Sequence, residues 1–223
     1  MIISAENSFR FETETGKIIE PHSTTLCFLD GEHLVTQGEK RMTLKDDMSY
    51  IRLDFRDAFG EEILSAERIW VELREHMMFA IDRIKAKIPV KPISRFVVDN
   101  SKTDADIRIF HNKRVVVRQN GFGIKILPCE MLNLQAEMTE IKNPEGTQFY
   151  DFKPTEFTTN YIGAFAMIQD IEPDIPAWHL YEPENYIRQI NPKDNSGRLS
   201  LTLQNNGKLL LEDTRTGESF VLT

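Results

Sequence analysis

The eight residues DNSKTDAD, 99–106, place Asp99, Asp104 and Asp106 within one polar turn. Three carboxylates on one loop can supply the hard oxygen ligands that calcium prefers. Their spacing departs from that of an EF-hand loop and no glutamate closes it, so a solvated turn of Asp, Asn and Ser has the same composition. A second grouping, LDGEH, sets Asp30, Glu32 and His33 beside one another, while Asp106 and His111 lie five positions apart. Carboxylate with imidazole suits zinc or manganese and metal-assisted hydrolysis. Asp-Gly is, however, first of all a hairpin turn.

The third candidate is Glu140-Ile141-Lys142. It resembles the Glu-x-Lys element of a large class of magnesium-dependent nucleases, and the resemblance implies a glutamate that holds metal and a lysine that steadies the attacking water. Asp104 and Asp106 are the partners it would need. Against it stands the ease with which a three-residue pattern arises by chance, and the acidic balance of the chain. No Gly-x-Ser-x-Gly elbow, phosphate loop or dinucleotide fingerprint is present, and Gly121-Phe122-Gly123 is too short to cradle a phosphate. No cofactor is expected.

Asp and Glu outnumber Lys and Arg by 35 to 27 in 223 residues, a formal charge of −8. Such a balance disfavours phosphate backbones and anionic lipid, so nucleic acid is an unexpected partner. Cys27 and Cys129 stand far apart with no neighbouring cysteine, which writes neither a zinc knuckle nor a disulfide framework and fits free thiols in a reducing compartment. The start, MIISAENSFRF, lacks a basic, apolar leader, and no apolar run reaches membrane-span length. These features predict cytoplasmic synthesis, compatible with incorporation into a virion or other particle.

The elements that must position these residues read mainly as short strands. SFRFETE, KIIE, TTLCFL, EHLVTQ and MSYIRLDF alternate and are punctuated by Gly16, Pro21, Asp30-Gly31 and Gly38. SRFVVDN reads as a strand, DIRIFHNKRVVVRQNGFGIKIL as three, LNLQAEMTEI and TQFYDF as a hairpin, and FTTNYIGAFAMIQDI as one buried strand. RLSLTLQNNGKLLLEDTRTGESFVLT predicts three strands joined by turns at Asn205-Asn206-Gly207 and Thr214 to Gly217.

The exception is EEILSAERIWVELREHMMFAIDRIKAKIP, 61–89. With Asp57 as cap and Pro89 as stop, it predicts a helix over 58–88, a rod of about 45 Å. At 100° per residue, Ile63, Ala66, Trp70, Leu73, Met77, Ala80, Ile81, Ile84 and Ile88 form one apolar stripe. Leu64, Val71 and Met78 recur at seven-residue spacing away from it, a narrow seam rimmed by Glu67, Arg74, Glu75, Asp82 and Lys85. Such a seam suits either cover from the same chain or contact with another subunit. Trp178 and Tyr181, in the proline-stiffened PAWHLYEPENY, are further interface anchors or pins for their own connection.

The sequence therefore predicts an α+β protein: mostly antiparallel β-sheets, as a sandwich or partly open barrel, with one long amphipathic helix and a small C-terminal β-meander. The expected divisions are a β-rich domain 1–168, a proline-rich arm or linker 169–197 and the meander 198–223. The expected role is a non-enzymatic structural or adaptor subunit of a larger assembly, of the virion, phage-tail or secretion-machine kind. Its partners would be protein, copies of itself or other subunits, with Leu64, Val71, Met78, Trp178 and Tyr181 at the interface. The alternatives are a metal-dependent hydrolase or nuclease using Asp104, Asp106 and Glu140, and a ligand- or peptide-binding module.

Overall fold

A computed structural model describes residues 3–4, 9–22, 27–30, 33–36, 42–45, 48–73, 77–110, 114–119, 122–129, 136–142, 146–169, 179–181, 186–190, 198–203, 209–213 and 217–222. In chain order the strands are β1 (Ile3–Ser4), β2 (Phe9–Thr13), β3 (Ile18–Ile19), β4 (Cys27–Asp30), β5 (His33–Thr36), β6 (Met42–Lys45) and β7 (Met48–Asp54). After a short 3-10 turn at Arg56–Ala58 come β8 (Ile63–Leu73), β9 (Met77–Asp99), β10 (Asp106–Phe110), β11 (Arg114–Gln119), β12 (Phe122–Cys129), β13 (Ala136–Lys142), β14 (Thr147–Pro154) and β15 (Thr158–Gln169). The last five are β16 (His179–Tyr181), β17 (Tyr186–Ile190), β18 (Arg198–Leu203), β19 (Leu209–Asp213) and β20 (Glu218–Leu222).

The expected α+β class is overturned, because the described residues contain no α-helix. The segment 58–88 holds instead most of the β8–β9 hairpin, in which Arg68 faces Asp82, Ile69 faces Ile81, Trp70 faces Ala80 and Val71 faces Phe79. Two physical reasons favour the hairpin. Ile84, Ala86 and Ile88 alternate with Lys85 and Lys87, a period of two that the helical stripe overlooks. Ile63, Ile69, Val71, Ile81 and Ile84 are β-branched, which restricts the side chain in a helix and suits a pleated surface.

Pro89, read as a helix stop, lies within β9. It falls in a gap of both ladders: pairing with β8 ends at Ala86, and pairing with β15 passes from Lys85 to Val90. A proline, which has no N–H to donate, is tolerated at such a break. Beyond it β9 changes partners, running antiparallel to β2 from Val90 to Ser94 and to β14 from Ser94 to Asp99. One 23-residue strand thus belongs to two layers.

The sheet runs β10-β11-β12-β15-β9-β8-β7-β6, with β14, β13, β2, β3 and β1 attached through the far half of β9. It curls over a core in which Trp70 of β8, Phe96 of β9, Phe152 of β14 and Phe165 of β15 are each at most 1% exposed. The rings meet edge to face or tilted, Phe96 lying 5.0 Å from Phe165 and 5.7 Å from Phe152. Phe9 and Phe11 of β2 close the core against Phe55 and Phe59, at 5.3 and 4.8 Å. Such contacts add to the area term that burying large rings already supplies.

A second sheet has the order β16-β17-β18-β19-β20. The expected meander is its last three strands, and the proline-rich region contributes the other two, β17 pairing with β18 from Tyr186 to Ile190.

Candidate functional site

The edge of the larger sheet at β10 is built by the polar turn that first suggested a metal site. Thr103 N–H donates to the Asn100 carbonyl at 2.9 Å, Ala105 N–H donates to Asn100 Oδ1 at 3.0 Å, and Thr103 takes φ 54°. The turn is docked on the β14 side, where Asn100 N–H donates to the Gly146 carbonyl at 3.1 Å. Gly146, at φ 85°, has no room for a Cβ, which would stand 2.5 Å from Ser101 Cα. Asp104 accepts a hydrogen bond from Gln119 Nε2 at 2.6 Å, which ties the turn to β11. Asn100, Thr103 and Asp104 thus bond within the turn or to the strands beside it.

β10 leaves this turn and, among the described residues, pairs on one side only, with β11, at the end of the sheet path. Ile107 and Ile109 pack inward against the core, together with Ala105 before them. Asp106 and Arg108 point the other way and form an ion pair within the strand, Nη2 to Oδ2 at 3.0 Å, with side chains 51% and 58% exposed. The result is a short edge strand with an apolar inner face and one charge of each sign outside.

The other sequence candidates do not converge. Glu140 lies on β13, accepting from the Tyr150 hydroxyl at 3.3 Å, with Lys142 Nζ 3.6 Å from its other oxygen. Burial, and then the Glu140 charge, pushes the Tyr150 phenol well above its ordinary value. Among the described residues no group of three His, Cys, Asp or Glu side chains is arranged to hold a metal. Asp104, Asp106 and Glu140 therefore form no such group, and each carboxylate has a different intrachain partner. The side chains of Asp30, His33 and Asp99, and all of Glu32 and His111, lie outside the described residues.

The seam Leu64, Val71 and Met78 is divided by the strand geometry. Met78 enters the main core at 6% exposure, and Val71, on the other face of the hairpin, is 1% exposed. Leu64 is 49% exposed, beside a register shift between Ile63 and Ser65. Trp178 and the side chain of Tyr181 lie outside the described residues.

Sequence reasoning missed a charged cluster inside the core. Arg68 Nε and Nη2 donate to the two oxygens of Asp82 at 2.6 and 2.8 Å, both side chains wholly buried. Arg68 Nη1 donates to the Arg95 carbonyl at 3.3 Å, and Ser94 Oγ donates to Asp82 at 2.5 Å. The guanidinium lies 4.8 Å from the Phe96 ring centre and 5.0 Å from that of Phe9. Tyr161 joins through Ser94; burial, then the Asp82 charge, holds its phenol far above the usual value. Its ring lies over Gly163, where a Cβ would collide with the hydroxyl. The available signal was Arg68 and Asp82 lying equidistant from a chain reversal between Leu73 and Met77, legible only once the segment is read as a hairpin.

Outside this cluster, Arg95 Nε and Nη2 donate to Asp151 at 2.6 Å each, with Phe149 4.3 Å from the guanidinium. Burial and then the Arg95 charge lower the pKa of Arg10, whose Nε stands 2.8 Å from Glu20.

Among the described residues these features define a β-sheet unit with a buried polar cluster and an edge strand at β10. Neither a family model nor a curated protein sequence matches the chain. Among solved structures it is similar to heparan sulfate lyase HepC from Pedobacter heparinus, at 10% identity and a TM-score of 0.51, over 84% of this chain and 28% of the lyase. A heparinase III gene product gives 6% identity and a TM-score of 0.50, over 82% of this chain and 27% of that one. At such identity the likeness shows the fold alone. The chain spans little more than a quarter of either protein.

Proposed function

We propose that this chain is a non-enzymatic structural or adaptor subunit, a β-rich unit that works by joining other protein in a larger assembly. The observation that carries this reading is the contrast between its charges and its edge: Asp104, Asp106 and Glu140 are committed to intrachain partners, while among the described residues β10 ends the sheet without a neighbouring strand. A ready-made row of backbone donors and acceptors is a site for strand addition. The lyase likeness adds that this fold occurs as a region of a longer protein. A virion, phage tail or secretion machine is the kind of particle in which such a subunit would serve after synthesis in the cytoplasm.

The test is native purification of the tagged chain from cells that make it. Elution in a particle well above the 25.9 kDa of one chain, with partners in fixed stoichiometry, is the expected result. Elution as a single chain that hydrolyses nucleic acid with added magnesium, and loses that activity on Glu140→Gln, would overturn the reading in favour of the metal-dependent alternative.

A further inference from the structure

We infer that the open edge of β10 is a self-recognition strand, which pairs antiparallel with β10 of a second copy of this chain about a two-fold axis through Ile107. The inference deepens the subunit reading and rests on it. It starts from the order Asp106-Ile107-Arg108 on the outermost strand of the sheet path. When a strand meets its own copy antiparallel with Ile107 opposite Ile107, Asp106 of each copy stands opposite Arg108 of the other. The two opposite-charge pairs are then cross-strand neighbours on one face, the unit that stabilises antiparallel sheets.

The same register works on the other face. Ile109 of each copy is brought opposite Ala105, and both are among the partly buried apolar residues that pack on the core, together with Ile107. A one-residue slip would set Ile107 of one copy against a charged residue of the other, so the complementarity disfavours that alignment. Two-fold association of this kind is self-complementary and closed, which produces a dimer rather than an open fibre.

The exposed ion pair explains why the edge is not a general hazard. Charges on an edge strand deter pairing with unrelated strands. Here they deter every strand except one that carries the opposite order in the antiparallel sense, and the chain's own β10 does. In the single chain Asp106 and Arg108 satisfy each other at 3.0 Å, so the edge is stable until a copy arrives and the pairs exchange. Five residues per strand make a contact smaller than a standard stable interface, so association is expected to depend on concentration.

The experiment is the solution mass of the purified full chain by light scattering over a hundredfold concentration range. Wild type is expected to rise from the 25.9 kDa of one chain toward twice that mass. Arg108→Asp sets aspartate against aspartate twice and should weaken the dimer about tenfold or more. The exchanged variant Asp106→Arg with Arg108→Asp restores opposite charges in the same register and should recover wild-type association. Urea midpoints matching wild type confirm that the variants fold. A monomer at every concentration, or a dimer indifferent to Arg108→Asp, overturns self-pairing at β10. Loss of native-particle partners by Arg108→Asp in a chain monomeric by itself also overturns it, and assigns the edge to another protein's strand. In each of these three results the wild-type chain can still elute in a particle on native purification, so failure of self-pairing and failure of the subunit reading remain distinct.

Discussion

The chain holds the same two residue types, Arg and Asp, in an interior pair and an edge pair that do opposite work. Arg68 and Asp82 face each other across the β8–β9 hairpin with no exposure, capped by Ser94 and flanked by Phe9 and Phe96. Asp106 and Arg108 sit two residues apart on an edge strand, each more than half exposed. Burial costs a charge its water, so the interior pair holds only because every partner is present. At the edge, water screens the pair and the interaction is worth little to the fold. A pair that contributes little to its own fold can be exchanged with another chain without loss.

The sharpest way to break this contrast is to remove one interior partner. Arg68→Met leaves Asp82 buried without its counter-charge and is expected to cost about 3–5 kcal/mol in urea unfolding, whereas Arg68→Met with Asp82→Leu should recover most of the loss. If the single variant costs no more than a surface change, the interior cluster is not holding the layers. Asp151→Asn tests the intermediate case, because it leaves Arg95 beside Arg10 without its carboxylate; about 2 kcal/mol is expected by the same measurement. Gly163→Ala forces a methyl into the Tyr161 ring and should cost about 1–3 kcal/mol, measured as a lowered Tm.

Alkaline pH gives a signed test of the interior. The Tyr161 phenol is held neutral in the fold by burial and by Asp82, so its folded pKa lies above its unfolded value. The stability this contributes is complete below the ordinary tyrosine pKa of about 10 and declines as pH rises toward the folded value, by up to about 1.4 kcal/mol per pH unit. Tyr161→Phe should flatten that decline in unfolding curves taken above pH 10. At the small end, Arg108→Asp is expected to change stability by less than about 0.5 kcal/mol, in contrast to its effect on association.

Much of the strand order was legible in the residues. β2, β7, β10 to β15 and β18 to β20 follow from alternation and from turns such as that at Gly217, whose φ of 73° is one that glycine adopts freely. The region 58–88 was not legible, because its apolar residues satisfy a helical stripe and two alternating strands together. Met78 and Val71 show the consequence: seven positions apart, they share a helical face but lie on opposite faces of the hairpin. Asp104 illustrates the same limit for sites, since its neighbours in sequence suggest calcium while its partner in space, Gln119, belongs to the next strand but one along the turn and edge.

By itself the sequence determined that this chain is β-rich and acidic, where most of its strands begin and end, and the self-complementary order Asp106-Ile107-Arg108. Those properties are local, fixed by side-chain alternation, turn chemistry and charge. Only the tertiary structure decided that β8 pairs with the first half of β9 as a hairpin, that the second half of β9 pairs with β2 and β14, that Arg68 is sealed against Asp82, and that β10 is an edge among the described strands. Each depends on which distant strand lies alongside, and pairing energy between strands is set by partners that no single window of sequence contains.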